Sequence, residues 1–232
     1  DEKRRLVVVS APGKRFKDDI KVTDLLIALA ESCLSGGNSE NELGAVLARF
    51  EDIVSQLELP ENIFEEIKTN IKSRIASDKA DKGRFTDSLK AAGEDNCARL
   101  VSSYLNKLGY ESHYINPKEA GMLLSKEYGN AFVLPKSYEK LAKLKDRPGI
   151  SVFPGFFGYS IDGEIVTFSR GGSDITGSIL AASVDAELYE NFTDVDSVFA
   201  VNPNIVPNPQ PIIKLTYREM RELSYAGFSV FH

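Results

Sequence analysis

The 232-residue sequence contains no tryptophan and only two cysteines, two methionines and two histidines. Cys33 and Cys97 lie far apart, each inside a segment with helical periodicity. This pattern favours buried free thiols over a disulfide or a metal site. The two histidines are His113 and the terminal His232. Because His113 lies in a strand-like run, we interpret it as a structural residue.

The sequence also lacks an excess of basic residues and a long apolar segment. A formal charge of −6 and a pI near 5.2 leave no broad basic face for a nucleic acid backbone, so nucleic acid is not an expected partner. No apolar run approaches the roughly 20 residues that a membrane span needs, and the first residues, Asp1–Arg5, lack the apolar core of a signal peptide. These absences predict a soluble, cytoplasmic protein without a membrane partner.

What the sequence does contain is a regular alternation of strand-like and helical patterns. Alternation of this kind is typical of a mostly parallel sheet with helices on both faces. We therefore predict a three-layer α/β/α sandwich. The strand-like runs are Leu6–Ser10, Glu111–Ile115, Ala131–Leu134, Ile150–Phe153, Glu164–Ser169, Glu187–Phe192 and Phe228–Phe231.

Between about residues 24 and 77 the strand-like runs stop and three apolar periodicities with helical spacing follow one another. Ser35–Ser39 and Leu59–Glu61 have the composition of turns between these segments. We interpret the region as a helical insertion in the α/β domain.

One glycine-containing turn has the features of an anion site. Glu164–Ser169 reads as a strand, Arg170–Asp174 as a tight turn, and Ile175–Val184 as a helix. Such a turn points several backbone N–H groups and the positive end of the helix dipole at one place, which suits phosphate. A second strand, Glu187–Phe192, would deliver Thr193–Asp196 at its carboxyl end, where open parallel sheets place their ligands.

Local pattern alone leaves the roles of three charged residues open. Arg170 could grip a carboxylate over the cleft or be a solvated arginine on a turn. Asp174 at the helix start is more typical of a capping or dipole-complementing residue than of a catalytic one. Glu94, which follows Ala-Ala-Gly, reads as a residue in the first turn of a long helix, where a glutamate usually complements the dipole.

Two motifs in the second half of the chain resemble signatures of the amino acid kinase family, and within it of the aspartokinase branch. They are Ser169-Arg-Gly-Gly-Ser-Asp174 and Thr193-Asp-Val-Asp-Ser-Val-Phe199. Further segments are similar to family motifs and occur in the same order. These are Leu6–Ala11, Ala92-Gly-Glu94, Gly155-Phe-Phe-Gly158, and the stretch from Thr216–Leu223 to Val230–His232. The helical insertion also favours the aspartokinase branch.

The resemblance implies an activity and a substrate site. The expected reaction transfers the γ-phosphoryl group of MgATP to the side-chain carboxylate of L-aspartate, giving 4-phospho-L-aspartate on the route to lysine, threonine and methionine. It implies that Arg170 grips a carboxylate of aspartate and Glu94 its ammonium group. Ser10 and Thr23 would contact the same substrate, and Asp174 would position the reacting groups as the catalytic residue. An aspartate carboxylate is already a nucleophile, so no general base is required.

The resemblance also assigns the nucleotide site and the assembly. Binding of ATP with Mg²⁺ is expected, with no metal ligand identified in the chain, and a homo-oligomer is expected for the full-length protein. The implied nucleotide-binding residues are Gly171, Gly172, Ser173, Thr193, Asp194 and Phe199.

Several departures from the family pattern keep alternatives open. Ala92 replaces the phenylalanine of Phe-Gly-Glu, and Asn202–Asn204 and Gly227–Ser229 stand where many members carry an arginine and a lysine. The family's N-terminal lysine segment and its regulatory ACT domains are not in the 232 residues, so we expect a catalytic domain that is inactive alone. The alternatives are another amino acid kinase, such as one like glutamate 5-kinase, or a catalytically silent nucleotide- or amino-acid-binding domain. Unrelated nucleotide folds fit poorly, because neither Gly-x-x-x-x-Gly-Lys-Ser/Thr nor Gly-x-Gly-x-x-Gly occurs.

Overall fold

The computed structural model describes residues 4–169, 171–192, 199, 201 and 206–225. The chain divides into two compact units, Asp1–Glu187 and Leu188–His232, which are considered separately below. In the first unit the elements are β1 (Leu6–Val9), α1 (Val22–Leu34), α2 (Glu40–Gln56), α3 (Glu61–Ile75), α4 (Lys82–Lys107), β2 (Ser112–Tyr114), α5 (Pro117–Ala120), α6 (Lys136–Leu141), β3 (Ile150–Pro154), β4 (Phe157–Tyr159), β5 (Ile165–Thr167) and α7 (Gly172–Ser183). A 3-10 turn, Ala142–Asp146, follows α6 directly.

The central sheet of the first unit is parallel and has the strand order β1-β3-β2. Val8 of β1 lies opposite Phe153 of β3, and Tyr114 of β2 lies opposite Val152 of β3. β-branched residues are typical of parallel strands, and β1 has the sequence Leu-Val-Val-Val, with all four residues half-buried.

Helices cover both faces of this sheet. Phe153 packs in one apolar cluster with Ile179 and Leu180 of α7. Tyr114, which lies beside Val152, donates its hydroxyl hydrogen to Asp95 of α4. Successive residues of a strand point to opposite faces, so α7 and α4 lie on opposite sides of the sheet. The predicted three-layer α/β/α arrangement is confirmed.

The three apolar periodicities that follow β1 each fall in a helix, and these helices pack with α4 around a core of their own. Residues 35–39 connect α1 with α2, as predicted, and the predicted turn Leu59–Glu61 overlaps the connection of α2 with α3, residues 57–60. Asp81 caps α4 by accepting a hydrogen bond of 3.0 Å from the N–H of Arg84. The fully buried apolar side chains of this core include Val22, Leu26, Leu29, Val46, Phe50, Ile67, Ile71, Phe85 and Leu89.

The strand before the glycine turn does not join the parallel sheet. β5 pairs antiparallel with β4, Phe157 lying opposite Thr167. The second half of the Gly155–Gly158 segment is therefore a strand, although the motif that it resembles is a loop. A two-stranded ladder needs only a short connection, and Ser160–Glu164 provides it.

Two predicted strands are wrong. Ala131–Leu134 forms no strand: only Val133 makes an isolated bridge, to Leu124, and the N–H of Phe132 bonds the hydroxyl of Ser125 instead of a strand carbonyl. Pro135 then lacks the N–H that a continuing ladder would need.

Glu187–Phe192 is also not a strand. Its apolar side chains are exposed, 82% in the case of Phe192, and in the described part of the chain no strand pairs with it. An alternating apolar run forms a strand only where a partner strand and a core are available. The predicted strand Phe228–Phe231 lies outside the described residues.

In the second unit the described residues contain one helix, α8 (Tyr217–Tyr225). Thr216 and Glu219 form a capping box at its start: the N–H of Thr216 donates to the carboxylate of Glu219 at 2.8 Å, and the N–H of Glu219 donates to the Thr216 hydroxyl at 3.3 Å. The helix expected from the Thr216–Leu223 motif is therefore present. Over the described residues of the chain, no helix has the length and apolar character to span a bilayer.

Candidate functional site

The candidate site lies at the carboxyl edge of the parallel sheet, where the segments after β1 and β3 meet the start of α7. The N–H of Gly155, just past β3, donates to the carbonyl of Val9, the last residue of β1, at 2.9 Å. Ser10 follows directly and is exposed. Ligands of open α/β sheets bind at this edge because the loops that leave the strands diverge there.

Two glycines allow the loop after β3 to contact the start of α7. A Cβ atom on Gly155 would lie 2.7 Å from the Cβ of Ser173, and one on Gly172 would lie 2.7 Å from Cδ2 of Phe156. Such separations are shorter than van der Waals contact, so neither position accepts a side chain without a backbone shift. The close approach places the predicted phosphate turn directly against the end of β3.

Phe156, within this contact, has a φ of 73° in the left-handed region. A non-glycine residue there needs support from its surroundings. The N–H of Phe156 donates to Oγ1 of the buried Thr176 at 3.0 Å, and this hydroxyl donates to the carbonyl of Gly172 at 2.8 Å. Thr176 therefore ties the strained loop to the first turn of α7, a role that nothing in its sequence position indicated.

The start of α7 has the features of an anion site. Its N-cap residue is Gly171, with a φ of 79°, and no side chain caps the helix. The first N–H groups of a helix, here those of Gly172 and Ser173, have no acceptor within the helix and carry its positive dipole end. Glycine at the N-cap leaves them accessible to an anion. Gly171, Gly172 and Ser173, the residues predicted to bind the nucleotide, form this helix start.

Asp174 lies in the first turn of α7 and is half-buried. Its N–H donates to the carbonyl of Gly171 at 3.0 Å, which places Asp174 inside the helix. The interpretation of Asp174 as the capping residue is therefore wrong, because the cap is Gly171. A carboxylate in this turn still complements the dipole.

Glu94 does not open a helix, contrary to the sequence-based interpretation. It lies near the middle of α4, which begins at Lys82. The helix continues through Gly93. A loop residue packs closely against this position: a Cβ on Gly93 would lie 2.7 Å from the Cβ of Ala11. The glycine in Ala92-Gly93 thus provides room for the chain that leaves β1. A dipole-partner role for Glu94 is excluded by its mid-helix position.

The carboxyl group of Glu94 is buried and only partly satisfied. The residue is 5% exposed, and its Oε2 has no hydrogen-bond partner among the described residues. Burial raises the pKa of Glu94 to about 8, while the backbone N–H groups of Ala11 and of Glu94 itself offset part of the rise. A buried carboxyl group without a cation is unfavourable in its charged form. The site is thus suited to a ligand that brings a positive charge.

Thr23 lies in the first turn of α1 and is half-buried. The loop between β1 and α1 closes at its base, where the N–H of Val22 donates to the carbonyl of Pro12 at 3.2 Å. Ser10 and Thr23 therefore lie on either side of one closed loop, and the start of that loop packs against α4 beside Glu94. The structure brings these three predicted residues to one region.

The remaining predicted residues lie outside the described part of the first unit. Arg170, Thr193 and Asp194 lie outside the described residues. Phe199 belongs to the second unit, where it is half-buried and makes an antiparallel bridge with Pro211.

No group of His, Cys, Asp and Glu residues within the described ranges could hold a metal ion. Cys33 and Cys97 are both free and half-buried. Burial and the nearby Glu94 raise the pKa of Cys97 to about 12, so this thiol stays neutral.

The fold is an α/β/α sandwich in which α7 has no side-chain cap at its N-terminus and α4 carries a buried carboxyl group. The sequence model of the amino acid kinase family matches residues 1–232, the whole chain. The chain belongs to the amino acid kinase family.

Similar proteins are aspartokinases. The chain is 53% identical to aspartokinase 3 of Bacillus subtilis over 232 residues, which is 100% of this chain and 51% of that protein. It is 35% identical to an aspartokinase of Helicobacter pylori over 147 residues, 63% of this chain and 36% of that protein. The chain thus spans about half the length of the first relative.

Solved structures of aspartate kinases have the same fold. The aspartate kinase of Clostridium acetobutylicum superposes with a TM-score of 0.81 at 35% identity, over 100% of this chain and 49% of that one. E. coli aspartokinase III in complex with aspartate and ADP superposes with a TM-score of 0.77 at 26% identity, over 98% of this chain and 51% of that one.

Proposed function

We propose that the protein containing this chain is an ATP-dependent aspartate kinase. In the reaction a side-chain carboxylate oxygen of L-aspartate forms a bond to the γ-phosphorus of ATP, and the bond from that phosphorus to the β-γ bridging oxygen breaks. The products are 4-phospho-L-aspartate and ADP. The names of the relatives and the aspartate and ADP bound to E. coli aspartokinase III support this proposal.

The observation that carries the proposal is the buried Oε2 of Glu94, which has no hydrogen-bond partner among the described residues. An α-amino acid carries an ammonium group, which can donate to this oxygen and supply the opposite charge that the buried carboxyl group lacks. Ser10 and Thr23, in the same region, would bind the substrate through their hydroxyl groups. A nucleotide alone brings no cation of this kind, so the carboxyl group favours an amino acid as the second ligand.

The phosphate half of the site is the start of α7. The N–H groups of Gly172 and Ser173 would bind phosphate oxygens, with Gly171 keeping the helix end open. Phosphoryl transfer needs little covalent help from a protein, because the main requirements are alignment of two anions and neutralisation of their charge. Asp174 would fix the reacting groups relative to each other from the first turn of α7.

The other roles follow from the family resemblance. Arg170 would bind a carboxylate of aspartate, a task for which a guanidinium group is well suited. Thr193, Asp194 and Phe199 would contact the nucleotide. A homo-oligomeric full-length protein is part of the same proposal.

Mg²⁺ would enter with the nucleotide. An ion of this kind would be held mainly by phosphate oxygens and water. When bound, the ion supplies positive charge to the phosphate groups.

The test measures ADP production by the full-length protein with ATP and a panel of amino acids. Turnover that depends on L-aspartate supports the proposal. Preference for L-glutamate would indicate the alternative kinase, and nucleotide binding without turnover on any amino acid would indicate a silent binding domain.

Glu94→Gln should raise the KM for aspartate by about ten-fold to over a hundred-fold, the usual effect of losing a charged hydrogen bond. The KM for ATP should change little. Asp87→Asn is the matched control: Asp87 is also buried on α4, but its carboxylate accepts hydrogen bonds of 2.8 Å from the N–H groups of Gly129 and Thr167. The control should lower stability and leave the KM for aspartate unchanged.

A further inference from the structure

The loop that connects β1 with α1 borders the proposed amino acid subsite at both ends. At its start, Ala11 packs against Gly93, and its N–H interacts with the carboxyl group of Glu94. At its end, α1 begins and carries Thr23. The positions of Ser10 and Thr23 relative to Glu94 therefore depend on the conformation of this loop.

A buried arginine of α2 holds the loop. Arg49 is 6% exposed, and its Nη2 donates to the carbonyl of Gly13 at 2.8 Å. Its Nη1 bonds the carboxylate of Asp19. Gly13 lies in the first half of the loop and Asp19 in the second, so one guanidinium group links the two halves.

Asp19 also organises the loop from within. Its carboxylate accepts hydrogen bonds from the backbone N–H of Arg15 at 2.9 Å and from Nε of Arg15 at 3.0 Å. These bonds and the contact with Arg49 hold the pKa of Asp19 well below its usual range. The carboxylate therefore stays charged near neutral pH.

Stability alone does not explain why a charged arginine is buried at position 49. Arg49 lies on α2 between Val46 and Phe50, which belong to the apolar core of α1–α4. Its Nε is buried without a hydrogen-bond partner among the described residues. Replacing a buried ion pair by apolar residues of similar volume is often neutral or stabilising. The buried charge is therefore better explained by its contacts with Gly13 and Asp19, which hold the β1–α1 loop.

We propose that Arg49 is a positioning residue of the amino acid subsite. Through Gly13 and Asp19 it fixes the β1–α1 loop, so that Ala11 stays against α4 and the hydroxyl groups of Ser10 and Thr23 stay beside Glu94. Arg49 touches neither substrate nor nucleotide in this role. The inference rests on the proposed function and extends it to the helical segment, because α2 contributes a residue that shapes the site.

The first test compares three variants of the full-length protein by steady-state kinetics. Arg49→Gln should raise the KM for aspartate about ten-fold to a hundred-fold, since small displacements of positioning groups have effects of this size. The KM for ATP should change less than about two-fold, because the start of α7 is not held by the loop. Arg49→Lys should recover part of the aspartate KM, since a lysine keeps the charge but not both directed hydrogen bonds.

Arg74→Gln is the matched control. Arg74 is likewise a buried arginine of the helical core, 8% exposed, and it binds Asp95 at 2.6 Å and Asn70 at 3.1 Å without contacting the β1–α1 loop. Its loss should lower the melting temperature and leave the KM for aspartate unchanged. Equal aspartate KM changes in Arg49→Gln and Arg74→Gln would overturn the proposal, because they would show a general effect of removing a buried arginine.

The second test does not depend on catalysis. Backbone amide hydrogen exchange over residues 13–22, which include the bonded amides of Asp19 and Val22, should accelerate in Arg49→Gln and not in Arg74→Gln. Unchanged exchange would also overturn the proposal, whatever reaction the protein performs. If Arg49→Gln does not fold, Asp19→Asn removes the ionic contact and leaves the one to Gly13, and the same two measurements apply. Absence of aspartate-dependent turnover by the wild type would instead refute the proposed function, which separates the two failures.

Discussion

Aspartate binding should be coupled to the ionisation of Glu94. Burial raises the pKa of this carboxyl group to about 8, so in the empty site it is mostly protonated near neutral pH. The substrate ammonium pairs best with the carboxylate, so the proton must leave when aspartate binds. The affinity for aspartate should therefore rise with pH up to about pH 8 and level off above it.

The size of the effect follows from the position of the pKa. With a group that titrates near pH 8, the dissociation constant for aspartate should fall about 50-fold between about pH 6 and pH 8, or about 2 kcal/mol. Neither the substrate ammonium nor its carboxylates titrate in this range. The same shift affects the empty protein: the folded state binds the proton more tightly than the unfolded one, so the contribution of Glu94 to stability falls as the pH rises from about 4.5 toward 8.

Isothermal titration calorimetry with aspartate alone, without nucleotide, measures both parts of this prediction. Near pH 7, runs in buffers of different ionisation enthalpy should show the release of nearly one proton per aspartate bound. Glu94→Gln should bind weakly, with an affinity that no longer depends on pH. His113→Gln, a substitution at a half-buried position of β2, is the control and should keep the wild-type slope.

The groups around Glu94 support this assignment. Cys97, the titratable neighbour on the same helix, stays neutral because its own pKa is raised to about 12. In the adjoining loop the ion pair of Arg15 and Asp19 stays charged over this range, because the contact raises the pKa of Arg15 and lowers that of Asp19. An aspartate affinity that is constant from about pH 6 to 8, or a slope that survives in Glu94→Gln, would show that the carboxyl group does not receive the ammonium.

Three further substitutions test the start of α7. Asp174→Asn should lower turnover far more than either substrate affinity and leave the melting temperature nearly unchanged; a residue that serves only the helix dipole would leave turnover intact. Thr176→Val removes the hydroxyl that supports the loop after β3 and should cost about 1 to 3 kcal/mol in urea unfolding, whereas Ser178→Ala, at an exposed site of the same helix, should cost under about 0.5 kcal/mol. Gly172→Ala should destabilise by about 1 to 3 kcal/mol because its Cβ would meet atoms 2.7 Å away, while Gly44→Ala, inside α2 with open space around it, should stabilise by up to about 1 kcal/mol. A small effect at Gly172 would show that the loop can move away from the helix.

Local features of the chain were largely predictable from its sequence. The strand, the glycine turn and the helix around Gly171–Asp174 occur in the predicted order, because glycine conformations and helical periodicity act over a few residues. The helices after β1 were predictable for the same reason. The errors concern strands, whose formation depends on pairing with another strand. β5 pairs with β4 instead of joining the parallel sheet, and Glu187–Phe192 forms no strand. A strand is defined by its partner, which lies elsewhere in the sequence.

The sequence by itself determined the fold class, the family and the glycine turn before α7, since these depend on local patterning and on motifs that can be read in order along the chain. Only the tertiary structure decided the position of Glu94 within α4 and the burial of its carboxyl group. As a residue after a glycine it looked like part of a helix start, but α4 continues through it, and Ala11 packs against Gly93 from a loop far away in sequence. Burial by distant segments sets the pKa of its carboxyl group and leaves one oxygen without a partner. The same holds for Arg49, whose contacts with Gly13 and Asp19 exist only because α2 packs beside the β1–α1 loop. Desolvation and long-range hydrogen bonds depend on which segments meet in space, and no local pattern encodes that.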